Sequence, residues 1–154
     1  MYKIKIGTLI EDNDKLLLIK EQNDDGGPRW NIVKGTFDED QDKDIFEAAK
    51  RECMEEVNVE VELKNLLNVL TIKKDSGNVV QFNLIASITK GMPSLSNQEF
   101  QESLNEHISE VRFFTKEELR KIKPEEYMSS RIYTAVQDWL AGKRFALGVV
   151  QEIT

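Results

Sequence analysis

Two apolar runs, residues 4–10 and 16–19, flank Glu11-Asp12-Asn13-Asp14, whose residues favour a tight turn, so the chain is predicted to open with a β-hairpin. Residues 22–29 contain Asn23-Asp24-Asp25-Gly26-Gly27-Pro28, a loop by composition. Trp30-Asn31-Ile32-Val33 then reads as a short strand ending at Lys34-Gly35. After an acidic stretch, residues 38–44, the period changes. Phe46, Ala49, Cys53 and Val57 recur at helical intervals, Asp44 and Glu47 have capping-box spacing, and Asn58 is a left-handed stop. Residues 59–73 and 78–89 are rich in Val, Ile and Leu with partial alternation, which predicts two or three strands joined by the turn Lys74-Asp75-Ser76-Gly77. Residues 110–114 predict another short strand. Thr115 with Glu118 caps a brief helix through Ile122, and residues 128–140 carry an amphipathic helix closed by Gly142. Strands, helix, strands, helix is the order of an α/β fold, a mixed sheet covered by helices on both faces.

Length and composition narrow this picture. With 154 residues, 40% apolar and 32% charged, the chain is expected to form one domain over 1–154. Charge interrupts the apolar residues from Lys3 onward, and no apolar run approaches membrane-spanning length, so a cytoplasmic protein with no membrane partner is expected. The net charge of −7 argues against a nucleic-acid polymer as partner, because such surfaces cluster Lys and Arg. One cysteine, Cys53, forms no internal disulfide, and one histidine, His107, leaves no His/Cys set for zinc. Any divalent metal is therefore expected to be oxygen-ligated.

Arg51-Glu52-Cys53-Met54-Glu55-Glu56 carries the chemistry. On a helix, residues three and four apart are neighbours, so Glu52 meets Glu55 and Glu56 while Arg51 lies over Glu55. Like charges so spaced cost stability unless neutralised, and Mg²⁺ accepts carboxylate oxygens in this way, with Mn²⁺ as an alternative. A solvated Glu-rich face is the plainer account of the same string. Ala48 and Ala49, one turn earlier, are small enough to let a substrate approach.

Read together, Lys34-Gly35, the acidic loop and Arg51-Glu52-Cys53-Met54-Glu55-Glu56-Val57-Asn58-Val59 resemble the Nudix box, G-x5-E-x7-R-E-U-x-E-E-x-G-U with U aliphatic. Residues 30–35 also look like the strand leading into that box, and residues 110–119 like the family's late strand and short helix. The resemblance implies the Nudix-type α/β/α sandwich with a mixed β-sheet. It also implies a pyrophosphohydrolase that cleaves a diphosphate bond in a nucleoside diphosphate linked to another moiety, such as a nucleoside triphosphate or dinucleoside polyphosphate. Two departures stand out: the box's first Glu falls on Lys43, with Asp42 or Asp44 beside it to stand in, and Gly35 sits two residues early. Asn58 replaces the box glycine, a milder change because Asn tolerates a left-handed backbone.

Carried over by position, Glu55 and Glu56 are metal ligands, Glu52 is a ligand or the base that activates water, and the Lys34 carbonyl completes the shell. Arg51 orients Glu55 or another acidic group. A further carboxylate is expected from the loop before the late strand: Glu106 first, then Glu102 and Glu99, in what is otherwise a solvated polar segment. Arg29, Trp30, Lys34 and Gly35 are the substrate-binding candidates, Arg29 by pairing with phosphate and Trp30 by stacking, although packing also explains Trp30. Lys20 is a further phosphate contact. The acidic run 38–44 reads as a solvated loop, Cys53 as a small buried hydrophobe, and Trp139, Phe145 and Leu147 as core. The tail 145–153 is open to pairing with a second subunit as a homodimer. A Nudix-fold module that binds nucleotide with weakened or lost catalysis, motivated by Lys43 and the lengthened loop, is the rival reading.

Overall fold

The computed structural model describes residues 2–24 and 26–153. Asp25, within the expected loop 22–29, lies outside them. Among the described residues, seven strands and four α-helices are arranged as β1 (Tyr2–Asp12), β2 (Lys15–Asn23), β3 (Gly27–Asn31), β4 (Val33–Thr36), α1 (Ile45–Val57), β5 (Glu60–Ile72), β6 (Asn78–Lys90), α2 (Gln98–Ser103), β7 (Ile108–Thr115), α3 (Lys116–Lys121) and α4 (Ser130–Leu140). β1 and β2 form the expected hairpin, turning at Asn13 and Asp14, both with positive φ. β1 also pairs in parallel with β6 and antiparallel with β4, while β2 carries β3 and β7. The sheet is therefore mixed.

Alternation along β1 and β6 assigns the two faces. Ile6 and Leu84 pack on Ala48 and Ala49, and Ile10 and Ala86 pack with Cys53 and Val57, all from α1. Leu9 and Ile85, pointing the other way, pack with Ile132, Ala135, Val136 and Trp139 of α4. Each helix presents one apolar stripe to one face of the sheet.

Local chemistry sets the helix ends. Asp44 accepts from the Glu47 backbone N–H at 2.8 Å to cap α1, and Asn58 stops it with φ 58°. Thr115 and Glu118 complete the predicted capping box of α3. Several expectations need correction. The strand expected at 30–33 is two strands, β3 and β4, because Asn31 bonds Glu21 through its side chain and turns its carbonyl oxygen onto the Ile32 N–H. The polar segment before β7 contains α2, capped by Asn97. Ala48 and Ala49 are fully buried, so their small size lets α1 approach the sheet and offers nothing to a substrate. Trp139 is core, but Phe145 is 52% exposed and Leu147 only half-buried; both lie outside the tightly packed centre. Phe145 exchanges backbone hydrogen bonds with Leu66 of its own chain, which occupies the tail's first residue within the molecule. Among the described residues no helix is long and apolar enough to cross a membrane.

Candidate active site

The site is built where α1 passes β4. Gly35 makes the approach possible: a Cβ there would lie 1.8 Å from Glu52 Oε1, so the position must be glycine for space rather than for a left-handed backbone. The Lys34 backbone N–H donates to Glu56 Oε2 at 3.2 Å, fixing the next carboxylate along the same helix stripe. Glu52 and Glu56 are both buried.

The third carboxylate comes from far along the chain. Ligand atoms of Glu52, Glu56 and Glu106 all lie within 4.8 Å of one another. Glu106 is held there by Gln101, a buried residue of α2 that the sequence did not single out. The Gln101 backbone oxygen accepts from the Glu106 N–H at 2.8 Å, its side-chain oxygen accepts from the Ile108 N–H at 2.8 Å, and its amide donates to the Ser96 carbonyl at 2.8 Å. Ser96 in turn donates to the Glu55 carbonyl at 2.6 Å, so the loop and the end of α1 form one hydrogen-bonded unit. The alternatives Glu99 and Glu102, on the same short helix, are exposed, as is His107.

These carboxylates are costly as they stand. Burial pushes Glu52 up to about 7, with the Glu55 charge adding to it and Arg51 opposing. Burial and the charges of Glu52, Glu21 and Glu55 push Glu106 up to about 7. Glu56 is raised well above the ordinary carboxylate range by burial and then by Glu106 and Glu52. Glu21, on β2 and bonded to Asn31, adds negative charge to the same place; no local motif marks it. The Glu106 Oε2 atom is buried without a hydrogen-bond partner. Three crowded acidic oxygens, one of them orphaned, fit a hard divalent cation bound through oxygen.

Arg51 shows the opposite economy of charge. Its guanidinium donates to Asp42 through Nε (2.7 Å) and Nη2 (2.8 Å), to Glu52 (2.9 Å), to Glu55 (3.1 Å) and to the Thr36 carbonyl (3.3 Å). Those Arg51 hydrogen bonds hold the Asp42 carboxyl below its usual range against the cost of burial. Of the two acids beside Lys43, Asp42 thus meets the arginine, while Asp44 is spent capping α1. The acidic run is consequently not a wholly solvated loop: Asp42 is 5% exposed, while Lys43 is exposed. Glu55 is tied to Arg51 and stands outside the triad.

The remaining candidates separate. The Trp30 ring packs edge-on against Phe114 with centroids 4.7 Å apart, and Lys20 lies over it at 5.0 Å. Arg29, Trp30 and Lys20 line a cavity of about 350 Å³ with Glu125 and Glu126, one that contains none of the triad residues. Lys34 and Gly35 stay with the acidic site.

A mixed sheet held between two helices, one of them turning buried acids toward a Lys-Gly strand, is the NUDIX arrangement. The NUDIX domain model matches residues 1–136, and the chain belongs to that family. None of the curated proteins matches it. Among solved structures, a NUDIX hydrolase from Nitrosomonas europaea superposes with a TM-score of 0.80 at 20% identity, over 99% of this chain and 98% of that one. A MutT NUDIX hydrolase from Burkholderia pseudomallei gives 0.71 at 18% identity, over 90% and 98%. An ADP-ribose pyrophosphatase from Streptococcus suis gives 0.66 at 21% identity, over 94% and 93%. At these identities the likeness is one of fold.

Proposed function

We propose that this NUDIX protein is a Mg²⁺- or Mn²⁺-dependent pyrophosphohydrolase that cleaves a diphosphate bond in a nucleoside diphosphate linked to another moiety. The observation that carries the reading is the convergence of Glu52, Glu56 and Glu106 with one buried oxygen lacking any partner. A divalent cation bound by these three supplies charge neutralisation for phosphate oxygens and lowers the pKa of water. The chain's own residues do the rest. Glu52 and Glu106 are each proposed as a ligand or as the base that takes a proton from attacking water, since both carboxyls reach the point where the triad converges. Arg51 is a positioning residue that holds Glu52 and Glu55 through one nitrogen while Asp42 holds its other two. Gly35 and the Lys34 amide set the distance between β4 and the acids, and the Lys34 carbonyl is the proposed main-chain ligand.

The rival reading, a binding module with weakened catalysis, rested on Lys43 and the lengthened loop. Asp42 supplies the carboxylate for Arg51 from the adjacent position, which answers the first motive and supports the enzyme. The test is a panel of nucleoside triphosphates, dinucleoside polyphosphates and nucleotide sugars with Mg²⁺, followed by chromatography of the nucleoside monophosphate and the phosphorylated co-product. Turnover in the parent that disappears in Glu56→Gln supports the assignment; a panel that is bound but never cleaved overturns it.

A further inference from the structure

On the α4 side of the sheet the charge reverses. Lys3, Lys5 and Arg131, with Lys74 from the β5–β6 turn, line a cavity of about 670 Å³ whose polar wall includes Ser76 and Asn78. In a chain of net charge −7, these four cations gather with no carboxylate lining their cavity, and among the described residues none of them, nor Lys34, forms an ion pair. Surface lysines ordinarily sit in water at no cost, but Lys5 and Arg131 are half-buried. Burial, then the charges of Lys34, Lys3 and Arg131, lower Lys5 to about 8 against the smaller opposing pull of Glu52, and burial lowers Arg131.

Arg131 is also aimed. Its Nη1 donates to Gln81 Oε1 at 3.0 Å; Gln81 donates to Asn83, Asn83 to Asn68 and Asn68 to Asp138, each at 2.8 Å. Gly7 makes room for this buried relay, since a Cβ there would fall 2.2 Å from Asn83 Oδ1. The relay orients one edge of the guanidinium and leaves it without a countercharge. Such a group, with two lysines beside it, matches phosphate oxygens.

The basic cavity communicates with the acidic site. A second cavity of about 620 Å³ shares Tyr2 and Lys3 with it and reaches Arg51 and Glu52. Lys34 acts electrostatically on both sides, on Lys5 and on Glu56 and Glu106. Lys5 itself pairs across the strands with Thr36, next to Gly35.

We propose that Lys3, Lys5, Lys74 and Arg131 form a polyphosphate subsite that holds the uncleaved end of the substrate, so that the preferred substrates carry further phosphates beyond the diphosphate that is broken. This rests on the hydrolase reading for its place in catalysis, but not for its chemistry. Two sources share that chemistry, a multiply phosphorylated polyol and the chain end of a nucleoside polyphosphate.

The test is calorimetry on the metal-free full chain with inositol hexakisphosphate, inorganic tripolyphosphate and, as a single-phosphate reference, AMP. Either polyphosphate should bind more tightly than AMP, and Lys5→Gln and Arg131→Gln should each weaken it roughly tenfold, the worth of one charged hydrogen-bonding group. Lys3→Gln, at an exposed position, repeats the test where folding is not at stake. Lys121→Gln removes one exposed charge from α3 and should bind like the parent. Tighter binding of the inositol phosphate assigns the polyol, and tighter binding of tripolyphosphate assigns the nucleoside polyphosphate. Polyphosphate binding no better than AMP, or an equal loss in Lys121→Gln, overturns the subsite. Polyphosphate binding without turnover of any diphosphate would sink the hydrolase and keep the subsite. Cleavage of ADP-ribose at an unchanged rate in Lys5→Gln and Arg131→Gln, without probe binding, would sink the subsite alone.

Discussion

Asp42 and Glu56 are both buried acids within reach of α1, yet their surroundings drive them in opposite directions. Asp42 faces a guanidinium in a two-point contact and is held ionised. Glu56 faces Glu52 and Glu106 and is driven toward the neutral form. The first is an internally balanced pair whose work is structural. The second is an imbalance that the chain alone does not relieve, and this marks it as the place for an external cation. Acid content on its own does not separate the two; the nearest opposite charge does.

The largest effect that would break this contrast is on activity. Glu56→Gln should lower diphosphate hydrolysis by on the order of 10² or more, measured by steady-state release of nucleoside monophosphate, because a ligand matters at least as much as the second-sphere groups that typically cost 10–100-fold. The same change should raise the melting temperature of metal-free protein above the ordinary carboxylate range of pH, since it removes a buried acid whose ionisation the fold opposes. A fall in both would show Glu56 to be structural.

Asp42→Asn should behave in the reverse manner, losing about 2–3 kcal/mol in urea unfolding, because it strands a partly buried Arg51. Activity should fall only as Arg51 loosens its hold on Glu52. Gly35→Ala should leave stability within about 1–2 kcal/mol but cut turnover roughly tenfold or more, through displacement of the Glu52 carboxyl that now touches the glycine. Equal kcat in the two proteins would dissociate Glu52 from the reaction.

The pH dependence of metal-free stability sharpens the comparison further. Glu52 and Glu106 keep protons up to about 7 in the fold, whereas the unfolded chain releases them near 4.5. Between those values the unfolded state holds fewer protons, so their contribution favours the fold at low pH and is lost as pH rises through about 7. Asp42 has the opposite sign: its lowered pKa stabilises the fold above 3.8, its ordinary value, and that stability is lost as pH falls through the folded value. Scanning calorimetry of metal-free protein should therefore show a melting temperature that declines from about pH 5 to pH 8, and Mg²⁺ should recover it most at the alkaline end. A flat profile would mean that the triad is more solvated than its burial implies. The smallest effect is expected of Lys43→Glu, which restores the box's first acid yet should change turnover less than about twofold, because Asp42 already satisfies Arg51 and Lys43 points to solvent.

Much of this was legible locally. The caps Asp44, Asn58 and Thr115 act within a turn of themselves, and the spacing of Glu52 and Glu56 puts both on one helical stripe whatever the rest of the chain does. Apolar runs announced β1 and β2 and partial alternation β5 and β6, though the split between β3 and β4 depended on an Asn31–Glu21 contact across strands. The choice between Asp42 and Asp44 stood open in sequence because both lie beside Lys43. Only the path of the loop back onto Arg51 decided it.

The sequence by itself determined that helix α1 exists, that it carries an acidic stripe, and that a short strand with Lys-Gly at its end precedes it, because propensity, capping and helical period are properties of neighbouring residues. Tertiary structure alone decided that Glu106 joins Glu52 and Glu56 while Glu55 turns to Arg51, that Gln101 holds the loop in place, and that Lys5 shares a cavity with Arg131 of α4. These encounters depend on loop closure and packing between distant segments, and no period or spacing along the chain encodes which of several chemically equal side chains will arrive.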